Sequence, residues 1–165
     1  MNNINIKASV LSESLQQIVG VVERKQTMPI LSHILLDCSG NNLTLTATDL
    51  EVQLTCSVDN VNADGNFITT IPGRKAFEII KSLGEQDIEI IVSDSSIKIK
   101  SSRSSFKLKT LSSNEFPLFD ATGTDTTFSA KQSEIKTLFN KTQFAMAQQD
   151  VRFYLNGLLL ELSPN

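Results

Sequence analysis

Hydrophobic and polar residues alternate along several short segments of this 165-residue chain. The alternating segments are residues 4–8 (INIKA), 43–47 (LTLTA), 52–58 (VQLTCSV), 97–100 (IKIK) and 106–109 (FKLK). A period of two places successive side chains on opposite faces of a strand, as in an antiparallel sheet with one buried face. Turn-forming residues at 39–42, 62–66, 93–96 and 101–104 separate these segments. The pattern therefore predicts half-buried antiparallel strands.

Three further stretches repeat their apolar residues every three or four positions, which predicts helices. Their apolar faces comprise Leu11, Leu15, Ile18, Val19 and Val22; Phe77, Ile80 and either Ala76 or Leu83; and Ile135, Leu138, Phe139 and Thr142. Pro72 stands where the first turn of the second helix tolerates proline. Ser129 and Gln132 have the spacing of a capping box before the third. Strands and helices in this order indicate an α+β fold.

The order of elements begins again after residue 124, which predicts a duplicated domain. Residues 30–41 (ILSHILLDCSGN) align with residues 154–165 (YLNGLLLELSPN), with identities at Leu31, Leu35, Leu36, Ser39 and Asn41. The opening strand INIKA similarly matches TTFSA at 126–130, and a helix follows in both copies. We therefore expect one domain over 1–122 and the beginning of a second over 123–165, with strands at 126–130 and 156–162. The second copy is incomplete, so we expect a piece of a longer protein.

Composition is that of a globular protein, with 40% hydrophobic and 20% charged residues. No apolar run is long enough to span a membrane, and residues 1–9 lack the features of a secretion signal. Cys38 and Cys56 have neither CxxC spacing nor nearby histidines, and Cys56 falls on the apolar face of its segment. We expect reduced, buried cysteines and a cytoplasmic location.

Charge is distributed unevenly between helices and strands. The helical stretches 12–25, 74–83 and 131–141 together carry a charge of +4. Because the net charge of the chain is −3, the remaining residues carry −7. Helices on one side of the sheets would therefore give a basic surface that could hold a polyanion. Alternatively, lysines follow the helix macrodipole, which accounts for Lys25 and Lys81 but not for Lys75, Lys131 or Lys136.

A second basic stretch follows the predicted hairpin near residue 100. It contains Lys98, Lys100, Arg103, Lys107 and Lys109, alternating with apolar residues and without an intervening acidic residue. One interpretation is an edge hairpin that lysines protect from aggregation. The other is a surface that meets an acidic, partly apolar partner. The residues alone leave both open.

Residues typical of catalytic or metal sites are sparse. His33 is the single histidine, and no phosphate-binding loop, HExxH motif or EF-hand pattern occurs. Asp49 and Glu51 could share a metal, but they equally suit a turn beside a strand. We therefore expect a structural role for His33, no cofactor, no metal and no enzymatic activity.

Four phrases resemble the bacterial β sliding clamps, the processivity subunits of DNA polymerase III. They are residues 27–52 (TMPILSHILLDCSGNNLTLTATDLEV), 71–83 (IPGRKAFEIIKSL), 101–117 (SSRSSFKLKTLSSNEFP) and 142–162 (TQFAMAQQDVRFYLNGLLLEL). The resemblance implies a DNA-clamp fold, with antiparallel sheets, helices packed on one face and a duplicated domain. It also implies a homodimeric ring around duplex DNA that tethers the polymerase III alpha subunit, clamp-loader subunits, other polymerases and repair proteins through short peptides.

The resemblance also implies roles for individual residues. The residues implied to contact DNA are Arg24, Lys25, Gln149, Phe153 and Tyr154. The residues implied to form part of the client-peptide pocket are Arg152, Tyr154 and Leu155. The residues implied to form the dimer interface are Lys75, Ile79, Leu83, Arg103, Phe106 and Leu108. The family pattern has two tyrosines where this chain has Phe153 and Tyr154. Core packing is the alternative explanation of the aromatic pair.

Two other classes of protein remain open from the sequence. A peptide-binding scaffold without DNA encirclement would use Arg152, Tyr154 and Leu155 and would not need the lysines of the helices. An α+β enzyme would need catalytic residues outside this chain. A clamp accounts for the duplication, the charge distribution and the aromatic pair together, although this chain alone is not expected to close a ring.

Overall fold

The computed structural model describes residues 2–22, 28–119 and 127–163. The chain forms two compact units, Met1–Asp120 and Ala121–Asn165. Arg24 and Lys25, which the resemblance assigns to DNA contacts, lie outside the described residues.

The described residues of unit 1 form two antiparallel sheets, two α-helices and two 3-10 turns (Pro29–Ser32 and Ser113–Glu115). The strands are β1 (Asn2–Lys7), β2 (His33–Ser39), β3 (Asn42–Thr48), β4 (Gln53–Val58), β5 (Asn62–Asp64), β6 (Phe67–Pro72), β7 (Asp87–Ser93), β8 (Ser96–Lys100) and β9 (Ser105–Lys109), and the helices are α1 (Ala8–Ile18) and α2 (Gly73–Leu83). One sheet has the order β5-β1-β7-β8-β9 and the other β4-β3-β2-β6. Each alternating segment of the sequence coincides with a strand, except that Ala8 already begins α1 and Val52 precedes β4.

A single core joins both sheets and both helices. The helices pack on each other, α1 against β3 and β4 and α2 against β2 and β6. Leu15, Ile18 and Ile80 on the helices are at most 2% exposed, as are Ile97 and Ile99 on β8. The apolar faces predicted for the first two helices thus meet in one cluster, and burying such side chains is the main stabilising contribution to folding. The face predicted for the third helix is not buried, since Leu138 is 56% and Phe139 45% exposed.

The first helix is shorter than its apolar pattern suggested. Its helical segment ends at Ile18, and Val21 and Val22 then donate to carbonyls three residues earlier. This tighter turn follows Val19 and contains Gly20, which is an unfavourable residue in a helix interior. Val22 nevertheless remains in the core, with 1% exposure.

A smaller apolar cluster lies on the other face of β2. It contains Ile30, Leu31, Leu35 and Phe116, with Leu111 packed against it. The Thr70 hydroxyl on β6 donates to Leu111 O at 2.8 Å and accepts from Leu111 N at 2.9 Å. His33 Nδ1 lies 3.0 Å from the hydroxyl oxygen of Thr70. Because the Thr70 proton is already used, His33 must donate from Nδ1, which fixes the neutral tautomer.

The cysteines match their prediction only in part. Both are free, and Cys38 is buried, but Cys56 is only half-buried at the border of the core. Cys56 Sγ lies 3.6 Å from Gln17 Oε1 on α1. Burial raises the pKa of Cys38, and the neighbouring Asp37 carboxylate raises it further. No helix within the described residues is long and apolar enough to cross a membrane.

The described part of unit 2, residues 127–163, contains one helix, α3 (Gln132–Thr142), and two short 3-10 turns, Gln143–Ala145 and Phe153–Asn156. The predicted capping box is wrong, because Lys131 occupies the N-cap position and makes no side-chain cap. Neither predicted strand forms: residues 127–130 of the first are irregular, and in the second (156–162) Asn156 ends a 3-10 turn and residues 157–162 are irregular. No strand lies among residues 127–163 to supply their backbone hydrogen bonds, and Leu159 is 94% exposed.

Replacing Thr70 with valine should lower the free energy of unfolding by about 2 kcal/mol. The isosteric change leaves the Leu111 N–H and C=O groups and His33 Nδ1 without their partner. Urea denaturation measures the difference. Thr69→Val on the same strand is the matched control, because the Thr69 hydroxyl hydrogen-bonds to no described residue. Equal losses in the two variants would contradict the assigned network.

Acidification should destabilise unit 1 through His33. Burial lowers the pKa of His33 below its ordinary value of 6.5, because desolvation disfavours the charged ring. The contribution of the neutral ring to the free energy of unfolding is therefore complete above pH 6.5. It is lost as the pH falls from 6.5 through the lower pKa of the folded state. Thermal denaturation across this range measures the effect. His33→Asn retains an N–H donor for Thr70 without titrating, so an unchanged pH dependence in that variant would refute the assignment.

Candidate functional site

Residues 147–156 form a loop that is closed by its own hydrogen bonds. Ala147 N donates to Leu155 O at 2.9 Å, which joins the two ends. Asp150 N donates to Asn156 Oδ1, and Asn156 Nδ2 donates to Asp150 O, both at 2.9 Å. Gln149 has a φ of 59°, in the left-handed region. The loop thereby supplies hydrogen-bond partners for several of its own polar groups. Its other side chains are available for contacts with other molecules.

Arg152 and Asp150 form a two-point ion pair within this loop. Arg152 Nε donates to Asp150 Oδ1 and Nη2 donates to Oδ2, each at 3.0 Å, while Arg152 N also reaches Oδ1 at 2.9 Å. These hydrogen bonds hold the pKa of Asp150 below its usual value and raise the pKa of Arg152. Both groups stay charged at neutral pH, and the paired geometry fixes the plane of the guanidinium.

Aromatic side chains project from the closed loop. Phe153 is 86% exposed and Tyr154 77% exposed, whereas Leu155 is half-buried. Within unit 2, therefore, packing does not account for the aromatic pair. The loop presents Arg152, Phe153 and Tyr154 side by side, and these are residue types enriched at binding hot spots.

The cations of the helices differ in what they contact. Arg74 donates from Nε and Nη2 to Val22 O at 2.9 and 2.7 Å, and these hydrogen bonds stabilise the turn after α1. Lys81 lies 5.3 Å from the centre of the Phe77 ring. Lys75 on α2 is exposed, as are Lys131, Lys136 and Lys141 in unit 2. These four remain candidates for contacts outside the chain.

The residues assigned to a dimer interface lie around α2 and the edge strand β9. Leu83 and Leu108 are buried at 7% and 6% exposure, and Ile79 and Phe106 pack against the same core. Lys75 and Arg103 are exposed. Among the described strands β9 pairs with β8 alone. The accessible part of this region is therefore an open strand edge with two cations and two partly buried apolar side chains.

The carboxylates near residue 50 have a structural explanation. Asp49 Oδ1 accepts from Glu51 N at 3.0 Å and from Val52 N at 2.7 Å, which stabilises the turn between β3 and β4. No group of three or more potential metal ligands lies within the described ranges.

Replacing Asp150 with asparagine should mobilise the Arg152 side chain. The amide cannot form the charged two-point pair, although the backbone bonds between Asp150 and Asn156 can persist. The heteronuclear NOE of the Arg152 Nε–H group measures this motion on the picosecond to nanosecond scale. Glu161→Gln removes an exposed carboxylate of the same unit and serves as the control. A rigid Arg152 in the Asp150 variant would show that other contacts hold it.

Comparisons with known proteins identify the family of this chain. The family model for the DNA polymerase III beta subunit, N-terminal domain, matches residues 2–120. The beta sliding clamp of Pseudomonas aeruginosa is 44% identical over 162 residues, 98% of this chain and 44% of that protein. The Escherichia coli K12 clamp is 39% identical over 152 residues, 92% of this chain and 42% of that protein.

Solved structures extend the likeness to the fold. The DNA polymerase III subunit beta of Pseudomonas aeruginosa has a TM-score of 0.88 at 43% identity, covering 94% of this chain and 42% of that chain. A sliding clamp of Bartonella birtlesii bound to griselimycin has a TM-score of 0.90 at 32% identity, covering 95% and 42%. The chain spans less than half the length of the relatives it matches. It belongs to the DNA polymerase III beta subunit family, the beta sliding clamps.

Proposed function

We propose that this chain supplies the first domain (1–122) and the beginning of the second (123–165) of a DNA-encircling clamp. The ring would slide on duplex DNA and tether the replicative polymerase as a non-catalytic cytoplasmic subunit. The observation that carries the proposal is the likeness to sliding clamps across both units, with 98% of the chain aligned to one relative and a TM-score of 0.88 to a solved clamp.

Sliding requires attraction to DNA without reading of its bases. Exposed lysines opposite phosphates give a sequence-independent attraction that salt weakens. Lys131, Lys136 and Lys141 are exposed and suit this role. In the proposal Arg24, Lys25, Gln149, Phe153 and Tyr154 add contacts at the face of the ring. Phe153 lacks a hydroxyl group, so its contribution is an apolar or stacking contact rather than a hydrogen bond to phosphate.

Tethering requires a rigid contact for the short peptides of client proteins. Arg152, Tyr154 and Leu155 form one part of the proposed pocket. The ion pair to Asp150 occupies one edge of the guanidinium, leaving the Nη1 protons directed away from it. A peptide carbonyl could accept those protons while an apolar side chain contacts Tyr154. Because the guanidinium is already oriented, less entropy is lost on binding.

Ring closure in the proposal uses the open edge of β9. The unpaired backbone of an edge strand can extend a sheet into a neighbouring subunit. Lys75 and Arg103 would meet acidic residues of that subunit, and Ile79 and Phe106 would supply the apolar centre. Leu83 and Leu108 support the interface from the core beneath it, so their substitution would affect folding as well as assembly.

A topological assay tests the proposal with the full-length protein. The clamp is loaded by its clamp loader onto nicked circular DNA, the salt concentration is raised, and the circle is then linearised. We expect retention on the circle at high salt, because encirclement does not depend on electrostatic contacts, followed by loss from the free ends. Gel filtration measures the amount of protein bound to the DNA before and after linearisation.

The opposite result favours the peptide-binding scaffold. Dissociation from intact circles by salt alone would show an ordinary electrostatic contact. Client peptides would still bind Arg152, Tyr154 and Leu155 in that event. Substituting Lys131, Lys136 and Lys141 with glutamine distinguishes the two functions. A clamp should remain on intact circles once it is loaded, whereas a scaffold should lose its electrostatic binding to DNA and keep its affinity for client peptides.

A further inference from the structure

Asn156 is the one asparagine of the sequence that glycine follows. In an Asn-Gly pair the backbone nitrogen of the glycine can attack the side-chain carbonyl carbon of the asparagine, because glycine has no side chain to hinder the approach. The reaction is deamidation, which converts asparagine to aspartate or isoaspartate. Residues 156 and 157 therefore have the sequence of a deamidation site.

Neither backbone conformation nor packing explains the glycine at position 157. Gly157 has φ −127° and ψ 169°, an extended conformation that any residue adopts. A methyl group added there would meet no described atom within 4 Å. What glycine does provide is an unhindered N–H next to Asn156, and this N–H donates to no described residue. The attacking nitrogen is thus available.

The side-chain amide of Asn156, in contrast, is held in place. Asp150 N donates to its Oδ1 and its Nδ2 donates to Asp150 O, both at 2.9 Å. We call these two hydrogen bonds the Asn156 clasp. They fix the orientation of the amide plane, and rotation of the amide toward Gly157 N breaks both. Closure of the loop at 147–156 therefore opposes the reaction that its own sequence permits.

We propose that Asn156 is a deamidation site that the clasp protects while the loop is closed. Hydroxide removes the proton of Gly157 N, which then forms a bond with Asn156 Cγ. The Cγ–Nδ2 bond breaks, and ammonia leaves with a proton from water, which regenerates hydroxide. Water then opens the cyclic succinimide at either of its carbonyl carbons, giving aspartate or isoaspartate. The net reaction consumes one water and releases one ammonia.

Deamidation removes half of the clasp and so opens the loop. A carboxylate at position 156 still accepts from Asp150 N, but it cannot donate to Asp150 O and repels this carbonyl. Isoaspartate in addition lengthens the main chain by a methylene group directly after Leu155, whose carbonyl closes the loop. The chemical state of one amide thus determines whether the loop keeps its shape. This inference goes beyond the proposed function and does not depend on what the loop binds.

Peptide mapping by mass spectrometry measures the conversion of Asn156 while this chain is incubated at mildly alkaline pH. We expect conversion in the folded chain to be about thirtyfold slower than in the chain unfolded in urea, the ratio that two hydrogen bonds of ordinary net strength provide. Asn140, which precedes a lysine, is the internal control and should convert more slowly than Asn156 in urea. Equal rates of Asn156 conversion in the folded and unfolded chains would refute the protection. Faster conversion of Asn140 than of Asn156 in urea would refute the site.

Two variants of Gln149 change the closure of the loop without altering the reacting residues. Gln149 has a φ of 59°, which valine disfavours and glycine adopts freely. We expect Gln149→Val to accelerate the conversion of Asn156 in the folded chain by about tenfold, because the closed loop becomes less populated. Gln149→Gly is the matched control and should not accelerate it. Equal rates in the two variants would contradict the proposal.

Gly157→Ala tests the attacking nitrogen. The added methyl group has space, so the clasp can persist while the approach to Asn156 Cγ is hindered. We expect slower conversion than in the unmodified chain in both the folded and the urea-unfolded state. An unchanged rate in urea would show that Gly157 N is not the nucleophile.

Asn156→Asp tests the opening of the loop. Ala147 N donates to Leu155 O in the closed loop, so we expect the exchange of this amide hydrogen with solvent to be faster in the variant. Asn140→Asp adds the same charge on α3 and should leave the exchange of Ala147 N–H unchanged. Unaltered exchange in the Asn156 variant would show that the clasp does not hold the loop closed, which would overturn the proposal.

Discussion

The need of every backbone N–H and C=O group for a partner decides which apolar segments of this chain become strands. In unit 1 the segments find one another, so that β1 lies between β5 and β7, and β8 between β7 and β9. The apolar residues 158–162 of unit 2 have no neighbouring strand within 127–163 and remain irregular. Side-chain hydrophobicity therefore selects candidates for strands, and backbone pairing determines which of them form.

The same requirement explains how far the fold could be predicted. Clean alternation located β8 and β9, because each has one buried and one more exposed face. The same alternation located β3, although Thr46 and Thr48 on its polar face are also buried. It did not indicate β7, whose Ile90, Ile91 and Val92 form a continuous apolar run, or β6, which is buried on both faces over 69–71. Local patterns also misplaced the end of α1, since Val22 remains in the core without being helical. Tertiary burial, rather than a local period, determines these positions.

The loop at 147–156 shows a similar limit for the site. Residue types alone marked Arg152 and Tyr154 as anchors, and an arginine without a partner would be costly to bury. The partner is Asp150, two residues earlier, and a local turn brings the two side chains together. A helix would not place them on the same side, and a strand would hold them about 7 Å apart. The left-handed conformation of Gln149 and the bonds between Asp150 and Asn156 produce that turn. Such geometry depends on the backbone path, which the spacing of residue types does not encode.

The contacts of each cation indicate what it remains able to bind. Arg74 directs two donors to Val22 O, and Lys100 contacts Glu89, so both mainly stabilise unit 1. Arg152 is intermediate, because Asp150 orients its guanidinium without using all five protons. Lys98 and Lys107 stand opposite each other on β8 and β9, and neither forms an ion pair with a described residue. Internal pairing thus separates structural cations from binding cations, a distinction that net charge and sequence position do not reveal.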